Sequence, residues 1–462
     1  MMKAVRRVLA GLALGAMLLP AGAFAAEKNI SDWLTISGDY RFRVDSLKAE
    51  VPAYQQFTGP ASAPVAVGAH DVKDDTLYTN RFGLNLKAKV MQNVTFNSRL
   101  LMYKNFGSQT GEATTPQNPS YFADRSQLMD GTAGHVPGDG QVTVDQAYVT
   151  INNILDQPIW FSVGRRPSTG GLPTHYRQNG DKPGVGGVSG LLVDYAYDGM
   201  TLGYAPDIDA LPGAYAKLCY GRGFQEKIHS NAQASVKNMD MAGIVVVPYD
   251  TDRLSFHLQV NRGMNVIDNP NGPSVNLGAI NQYGATVMSG LKNIGPGTLN
   301  MFASAAVDQS KPNDQTFGGM PVGLMFTGTK ENKTGEAIYV GARYDLPSKT
   351  KIGFEFNHGS KNWIAFVPAA DDIWTSKLGT RGNVYEGYVI QELNYAPISS
   401  EKAKTFIRVG YQYYKFDYTG SNNWVGGSEK ISEISASNPL DAQMFAPVKN
   451  AQDIYATLEV KF

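Results

Sequence analysis

The sequence predicts a transmembrane antiparallel β-barrel of about 16 strands, with 14 to 18 as the range, on three observations. Apolar and polar residues alternate with a period of two along most of the chain. Short turns alternate with long polar loops. The last residues form one more alternating strand that closes on an aromatic side chain.

Leu34, Ile36, Gly38, Tyr40, Phe42 and Val44 alternate with Thr35, Ser37, Asp39, Arg41, Arg43 and Asp45, as a strand with one apolar and one polar face requires. Phe82, Leu84, Leu86, Ala88 and Val90 alternate in the same way with Arg81, Asn85, Lys87 and Lys89. After a turn at Gln92-Asn93, the pattern returns with Val94, Phe96, Leu100 and Met102. Counting such segments places strands beginning near residues 34, 77, 94, 142, 158, 188, 213, 239, 253, 279, 298, 336, 351, 384, 405 and 452. A tilted strand needs about nine to eleven residues to cross a bilayer. Met200 to Gly213 is read as a connection, because a seventeenth strand would put the chain ends on opposite sides.

The connections separate a membrane barrel from a soluble sandwich. Met91–Asn93, Leu155–Pro158, Pro248–Asp252 and Pro347–Thr350 are short; Lys48–Thr76, Gly107–Gly140, Pro167–Gly187, Ser310–Gly335, Lys361–Thr380 and Gly420–Asn450 are long and polar. Short turns on one rim and long loops on the other are the layout of an outer-membrane barrel, with periplasmic turns and extracellular loops.

Two further segments concern export and assembly. Lys3, Arg6 and Arg7, the apolar run Val8–Leu19, and Ala23-Phe24-Ala25 read as a signal peptide over residues 1–25, leaving 26–462 as one barrel domain in the outer membrane. At the other end, Ile454, Leu458, Val460 and Phe462 put an apolar face and a terminal aromatic on the last strand, a pattern that resembles the signal read by the barrel assembly machinery. Trp33, Tyr78, Trp160, Phe161, Tyr197, Tyr204, Tyr395 and Tyr418 fall near strand ends, as interfacial girdles in contact with outer-membrane lipid would.

Composition narrows the function. The chain carries 41 basic and 41 acidic residues and one cysteine, Cys219; such a balance gives no reason to expect a nucleic-acid partner, and a lone cysteine excludes a disulfide framework and covalent haem attachment. No cofactor and no metal site is expected. The polar faces carry Arg41, Arg43, Arg81, Arg99 and Arg166, with Asp39 and Asp145 among them, on the early strands. Glu355, Glu386 and Glu392, with Arg343 and Arg408 as exceptions, lie on the later ones. These are the candidate pore-lining residues, a basic arc beside an acidic arc, and in a barrel of this size they should face water. Gly107–Gly140 and Pro167–Gly187 are the candidates for a loop that folds inward to form a constriction.

The runs Tyr78-Thr79-Asn80-Arg81-Phe82-Gly83-Leu84-Asn85-Leu86-Lys87-Ala88-Lys89-Val90, Val144-Asp145-Gln146-Ala147-Tyr148-Val149 and Phe161-Ser162-Val163-Gly164-Arg165-Arg166-Pro167-Ser168-Thr169-Gly170-Gly171 resemble outer-membrane channel proteins of metal-reducing delta-proteobacteria. The Ala-Tyr-Val and Gly-Arg strands also resemble general Gram-negative porins. The resemblance implies passive diffusion of small hydrophilic solutes and ions, and by analogy a homotrimer; it brings no catalytic residues. The alternative it raises is a barrel sleeve housing or supporting a multihaem cytochrome, with outer-membrane cytochromes as partners. An enzyme is not expected: His358-Gly359-Ser360 on an outward phase could serve acyl transfer, but no asparagine can be placed beside the histidine. Asp371-Asp372 reads as a solvated loop pair.

Overall fold

In a computed structural model the chain forms a closed antiparallel barrel of sixteen strands. Residues 30–462 are described, except 60–61, 108–136, 139, 169–170, 183–186, 189–190, 227–236, 269–274, 318–319, 368, 370 and 444. The signal segment 1–25 and most of the Gly107–Gly140 loop therefore lie outside the described residues.

The barrel strands are β1 (Leu34–Val51), β2 (His70–Met91), β3 (Val94–Asn105), β4 (Thr143–Ile151), β5 (Ile159–Pro167), β6 (Ala196–Tyr204), β7 (Tyr215–Phe224) and β8 (Met239–Asp250). They continue as β9 (Leu254–Asp268), β10 (Val275–Ile294), β11 (Gly297–Pro312), β12 (Lys333–Asp345), β13 (Thr350–Gly359), β14 (Gly382–Glu392), β15 (Lys404–Phe416) and β16 (Asn450–Lys461). Each strand pairs with its neighbours in sequence, and β1 closes on β16 with Arg41 opposite Glu459 and Arg43 opposite Thr457. Closure matters because an open strand edge in lipid would leave its backbone groups without partners.

The predicted alternation decides which way each side chain points. On β1, Arg41, Arg43, Asp45 and Leu47 are buried inside, whereas Ile36 and Tyr40 are exposed outside. Val260, Ile338, Phe354, Ile407 and Leu458 continue the outward apolar band around the barrel.

Three boundaries differ from the sequence reading. The first long loop is shorter than Lys48–Thr76, since β1 runs to Val51 and β2 begins at His70; their Lys48–Lys73 and Glu50–Asp71 pairs extend the ladder beyond the apolar band with polar side chains. No strand begins at 188. The apolar run Val188, Leu191, Leu192 and Val193 is buried in a core cluster instead, and the sixth strand is Ala196–Tyr204. Met200–Tyr204, read as part of a connection, is therefore strand, and the total stays at sixteen. A buried apolar run looks the same to periodicity whether it packs as a strand or as a loop. Of the aromatic residues assigned to girdles, Tyr197 is buried and Trp160 packs on Tyr215, Val245 and Val247.

The seam between first and last strands depends on Gly38. Its backbone exchanges hydrogen bonds with Phe462, at 2.8 Å and 3.0 Å, and a Cβ at Gly38 would stand 2.6 Å from both the Gly83 carbonyl oxygen and the Phe462 ring. Gly38→Val is therefore expected to destabilise closure by roughly 1–3 kcal/mol through overpacking, measured as a lower temperature for loss of the folded barrel's fast migration in SDS gels.

Candidate functional site: a loop-filled lumen

The 168–195 loop leaves β5 at the long-loop rim and crosses the barrel interior to the opposite mouth. Arg177, partway down, pairs with Asp372 at 2.6 Å and Glu386 at 3.0 Å. Farther down, the Lys461 Nζ donates to the carbonyls of Gln178 and Asn179, and Asn179 donates to Glu392 at 2.9 Å. At the short-turn rim, Asp181 pairs with Lys402 at 3.1 Å, and Lys182 pairs with Asp250 at the end of β8. The returning segment packs back along the wall. Val188 donates its N–H to Gln259 Oε1 at 2.7 Å, and Val188 and Leu192 lie over Gly284, where a Cβ would come within 3.0 Å of either.

A second loop, 360–381, seats above the first. Asp194 and Phe366, and Phe366 and Leu192, are joined by backbone hydrogen bonds of 2.9 Å and 2.8 Å. Trp363, Ile364, Phe366 and Val367 share an apolar cluster with Leu191, Leu192 and Val193. On β11, Asp308 holds the loop's entrance by accepting the N–H groups of Gly335 at 3.0 Å and Ile364 at 2.6 Å.

Charge fixes both loops to the wall. Asp371 meets three arginines of the wall: it bonds Arg41 and lies 3.0 Å from Arg408 and 3.5 Å from Arg81. Lys377 meets the acidic arc, bonding Glu355 and Glu386. Burial would raise the Asp371 carboxyl, but Arg41, Arg408 and Arg81 outweigh it and hold that carboxyl well below the usual range. A loop acid answers the basic wall, and a loop base answers the acidic wall. Asp371 and Asp372, read from sequence as solvated, are 1% and 3% exposed; an Asp-Asp pair carries no signal of its fate until the arginines opposite it are known.

The sequence-predicted lining residues all project inward, but into different surroundings. Arg41, Arg43, Arg408, Glu355 and Glu386 are each 1% exposed or less and contact loop or neighbouring wall side chains rather than open water, because the loops occupy the space the wall cannot fill. Arg43 pairs with Asp45 and with Asp453 at 2.7 Å. Arg99 pairs with Asp39 at 2.7 Å and Asp145 at 3.6 Å, and Arg81 with Asp39 at 3.5 Å; these groups keep partial exposure. Arg343 holds Asp345 and the Tyr176 carbonyl, and Glu392 holds Lys351. Arg166 lines a recess on β5–β9. Of the two predicted constriction loops, Pro167–Gly187 folds inward over its described residues. The inward 360–381 loop was not foreseen, although its Asp371, Asp372 and Lys377 complement the two arcs.

A model of the family described as protein of unknown function (DUF3373) matches residues 71–462. The chain belongs to that family. No curated protein matches this DUF3373 chain. Solved structures similar to it include OprB of Pseudomonas putida, at 10% identity and a TM-score of 0.48, covering 94% of this chain and 95% of that one. OmpF of Salmonella typhi, in complex with daunomycin, is similar at 10% identity and 0.45, covering 92% and 97%. The outer-membrane channel DcaP of Acinetobacter baumannii is similar at 12% and 0.40, covering 93% and 97%.

The enzyme reading of this DUF3373 barrel changes in one respect. Asn383 on β14 does stand beside His358, its Oδ1 3.0 Å from the ring Nδ1, because the cross-strand register pairs the two residues. Ser360 Oγ accepts the Glu336 N–H at 2.8 Å, and among the described residues no hydrogen bond joins it to His358. Nor does any group of three or more His, Cys, Asp or Glu among the described residues stand ready for a metal ion.

Two predictions test loop docking. Asp371→Asn leaves Arg41, Arg81 and Arg408 facing a neutral amide, and losing a buried charge partner costs about 3–5 kcal/mol; limited proteolysis should then cut within 360–381, while Asp314→Asn, on an exposed pair with Lys330, should leave the loop protected. The second concerns acid. Burial, with the positive charges of Arg343 and Lys182, lowers the His175 pKa to about 3, and its Nδ1 has no partner among the described residues. The folded loop therefore binds fewer protons than the unfolded one, and docking weakens by about 1.4 kcal/mol per pH unit as pH falls from about 6.5 toward 3. Protease sensitivity of 168–195 should rise as pH falls from about 6.5 to about 5, above the range in which Asp181 and Glu392 take up protons, and stay flat over that interval in His175→Gln.

Proposed function

We propose that this protein is an outer-membrane channel for small hydrophilic solutes and ions whose bore is narrowed by the 168–195 loop. The observation that carries the reading is a closed barrel with an apolar outer face, a charged inner wall, and a loop anchored by polar contacts from the long-loop rim to the short-turn rim. An apolar exterior suits lipid, and a charged interior suits water and ions. On this reading the long loops face outside, the signal segment 1–25 is removed on export, and the outward Ile454, Leu458, Val460 and Phe462 serve recognition by the barrel assembly machinery. The outer face contacts lipid and offers a surface for a homotrimer.

The exposed part of the basic arc, Arg81 and Arg99 with Asp39 and Asp145, is the portion of the lining that a passing ion meets. The buried part, including Arg41, Arg43, Arg408, Glu355 and Glu386, shapes the bore by holding the loops. A sleeve for a multihaem cytochrome, the role suggested by a likeness to proteins of metal-reducing bacteria, would need the space that the two loops occupy.

Single-channel recording in a planar bilayer tests the proposal. Native protein should open in small steps, and a variant with residues 172–182 replaced by a short Gly-Ser linker should open in steps several-fold larger. Neutralising Arg81 and Arg99 should shift ion selectivity under a salt gradient. A truncated barrel that is folded yet never conducts would end the channel reading.

A further inference from the structure

The interior cations are not treated alike. From β12 round to β3, Arg41, Arg43, Arg81, Arg99, Arg343 and Arg408 each face a carboxylate. On the facing wall, β5–β9, Arg166 and Lys217 make no ion pair among the described residues. Lys217 is 2% exposed, and its ammonium, with three protons to donate, has one acceptor among the described residues, the Ser168 carbonyl at 3.1 Å. Arg166 lies beside the Cys219 thiol, and its Nε has no partner among the described residues.

The surrounding wall repeats the deficit. Ser162 Oγ, Ser255 Oγ, Asn261 Nδ2 and both ring nitrogens of His257 are buried without hydrogen-bond partners among the described residues. Register sets these positions in one row across five strands: Ser162 stands opposite Thr201, Thr201 opposite Cys219, Cys219 opposite Gly243, and Gly243 opposite Asn261. Lys217 lies one inward step away, opposite Val245, which in turn faces Gln259. Arg166, Ser168, Gln259 and Asn261 line an open-sided recess. The carboxylates in reach are already engaged: Asp194 accepts the Gly171 N–H at 3.2 Å, and Asp250 is taken by Lys182.

A buried cation without a counter-charge is strongly unfavourable, and unpartnered buried donors call for an acceptor. From this we infer that the β5–β9 wall carries a binding site for a small oxyanion, a carboxylate or phosphate group, held by Lys217 and Arg166 with Asn261 as a neutral donor. A cation would meet two like charges there. An uncharged solute would leave both charges uncompensated. The inference rests on the channel reading only in that the anion reaches the site through the lumen, and it names an anion as the class of solute that the lumen holds.

The test is calorimetric titration of inorganic phosphate into the folded protein in detergent at pH 7, with acetate as competitor to rank phosphate against carboxylate. Saturable binding is expected. Lys217→Met and Arg166→Gln should each weaken it at least tenfold, Lys217→Arg should restore most of it, and Lys292→Gln, an exposed change at the end of β10, should leave it unchanged. Fast migration in SDS gels verifies that each variant is a closed barrel. No binding to the folded native protein, or binding that survives both charge-removing substitutions, overturns the site. A barrel that binds phosphate but never conducts keeps the site and loses the channel; one that conducts without binding does the reverse.

Discussion

A sixteen-stranded barrel encloses more space than its own inward side chains can fill, and a charge on that inner wall must find either water or a counter-charge. Much of this structure follows from how that requirement is met. The wall meets it in part, pairing Arg43 with Asp45 and Asp453, Arg99 with Asp39, and Arg408 with Glu459. Arg41, Glu355 and Glu386 find their counter-charges on loops that enter the barrel.

The loop contacts divide between pinning and filling. Asp371 among three arginines and Lys377 between two glutamates set the position and register of the 360–381 loop. Such buried pairs gain little net stability once the desolvation of both partners is counted, but removing one partner is costly. Filling is the work of Trp363, Phe366, Leu191 and Leu192, whose burial supplies the non-directional part of docking. The 168–195 loop depends more on polar anchors, from Arg177 in the middle of the bore to Asp181 and Lys182 at its far mouth.

This arrangement makes the interior asymmetric. On one wall Arg41, Arg43, Arg81, Arg99, Arg343 and Arg408 each face a carboxylate; on the other Arg166 and Lys217 make no ion pair among the described residues. A field that points from one side of a lumen to the other orients and selects dipolar and charged solutes. On the proposed reading, Arg81 and Arg99 meet a passing ion on one wall, and Arg166 and Lys217 would hold an anion on the other.

The alternation of apolar and polar residues, together with the short turns and long loops between them, pointed to a barrel of about sixteen strands and to which side chains face inward, because a period of two is a local property of a strand. Arg41, Arg343 and Glu386 could be assigned to the interior on that basis. The fate of those charges was decided only by tertiary structure. Which loop enters the lumen depends on complementarity between residues far apart in sequence, as with Arg41 and Asp371, separated by 330 positions. Asp371-Asp372 carries no local periodicity that would mark it as buried. The run at Val188–Val193 shows the same limit: its apolar character predicted burial, but whether it buried as a strand in the wall or as a loop against Trp363 and Phe366 was set by what stood across the barrel from it.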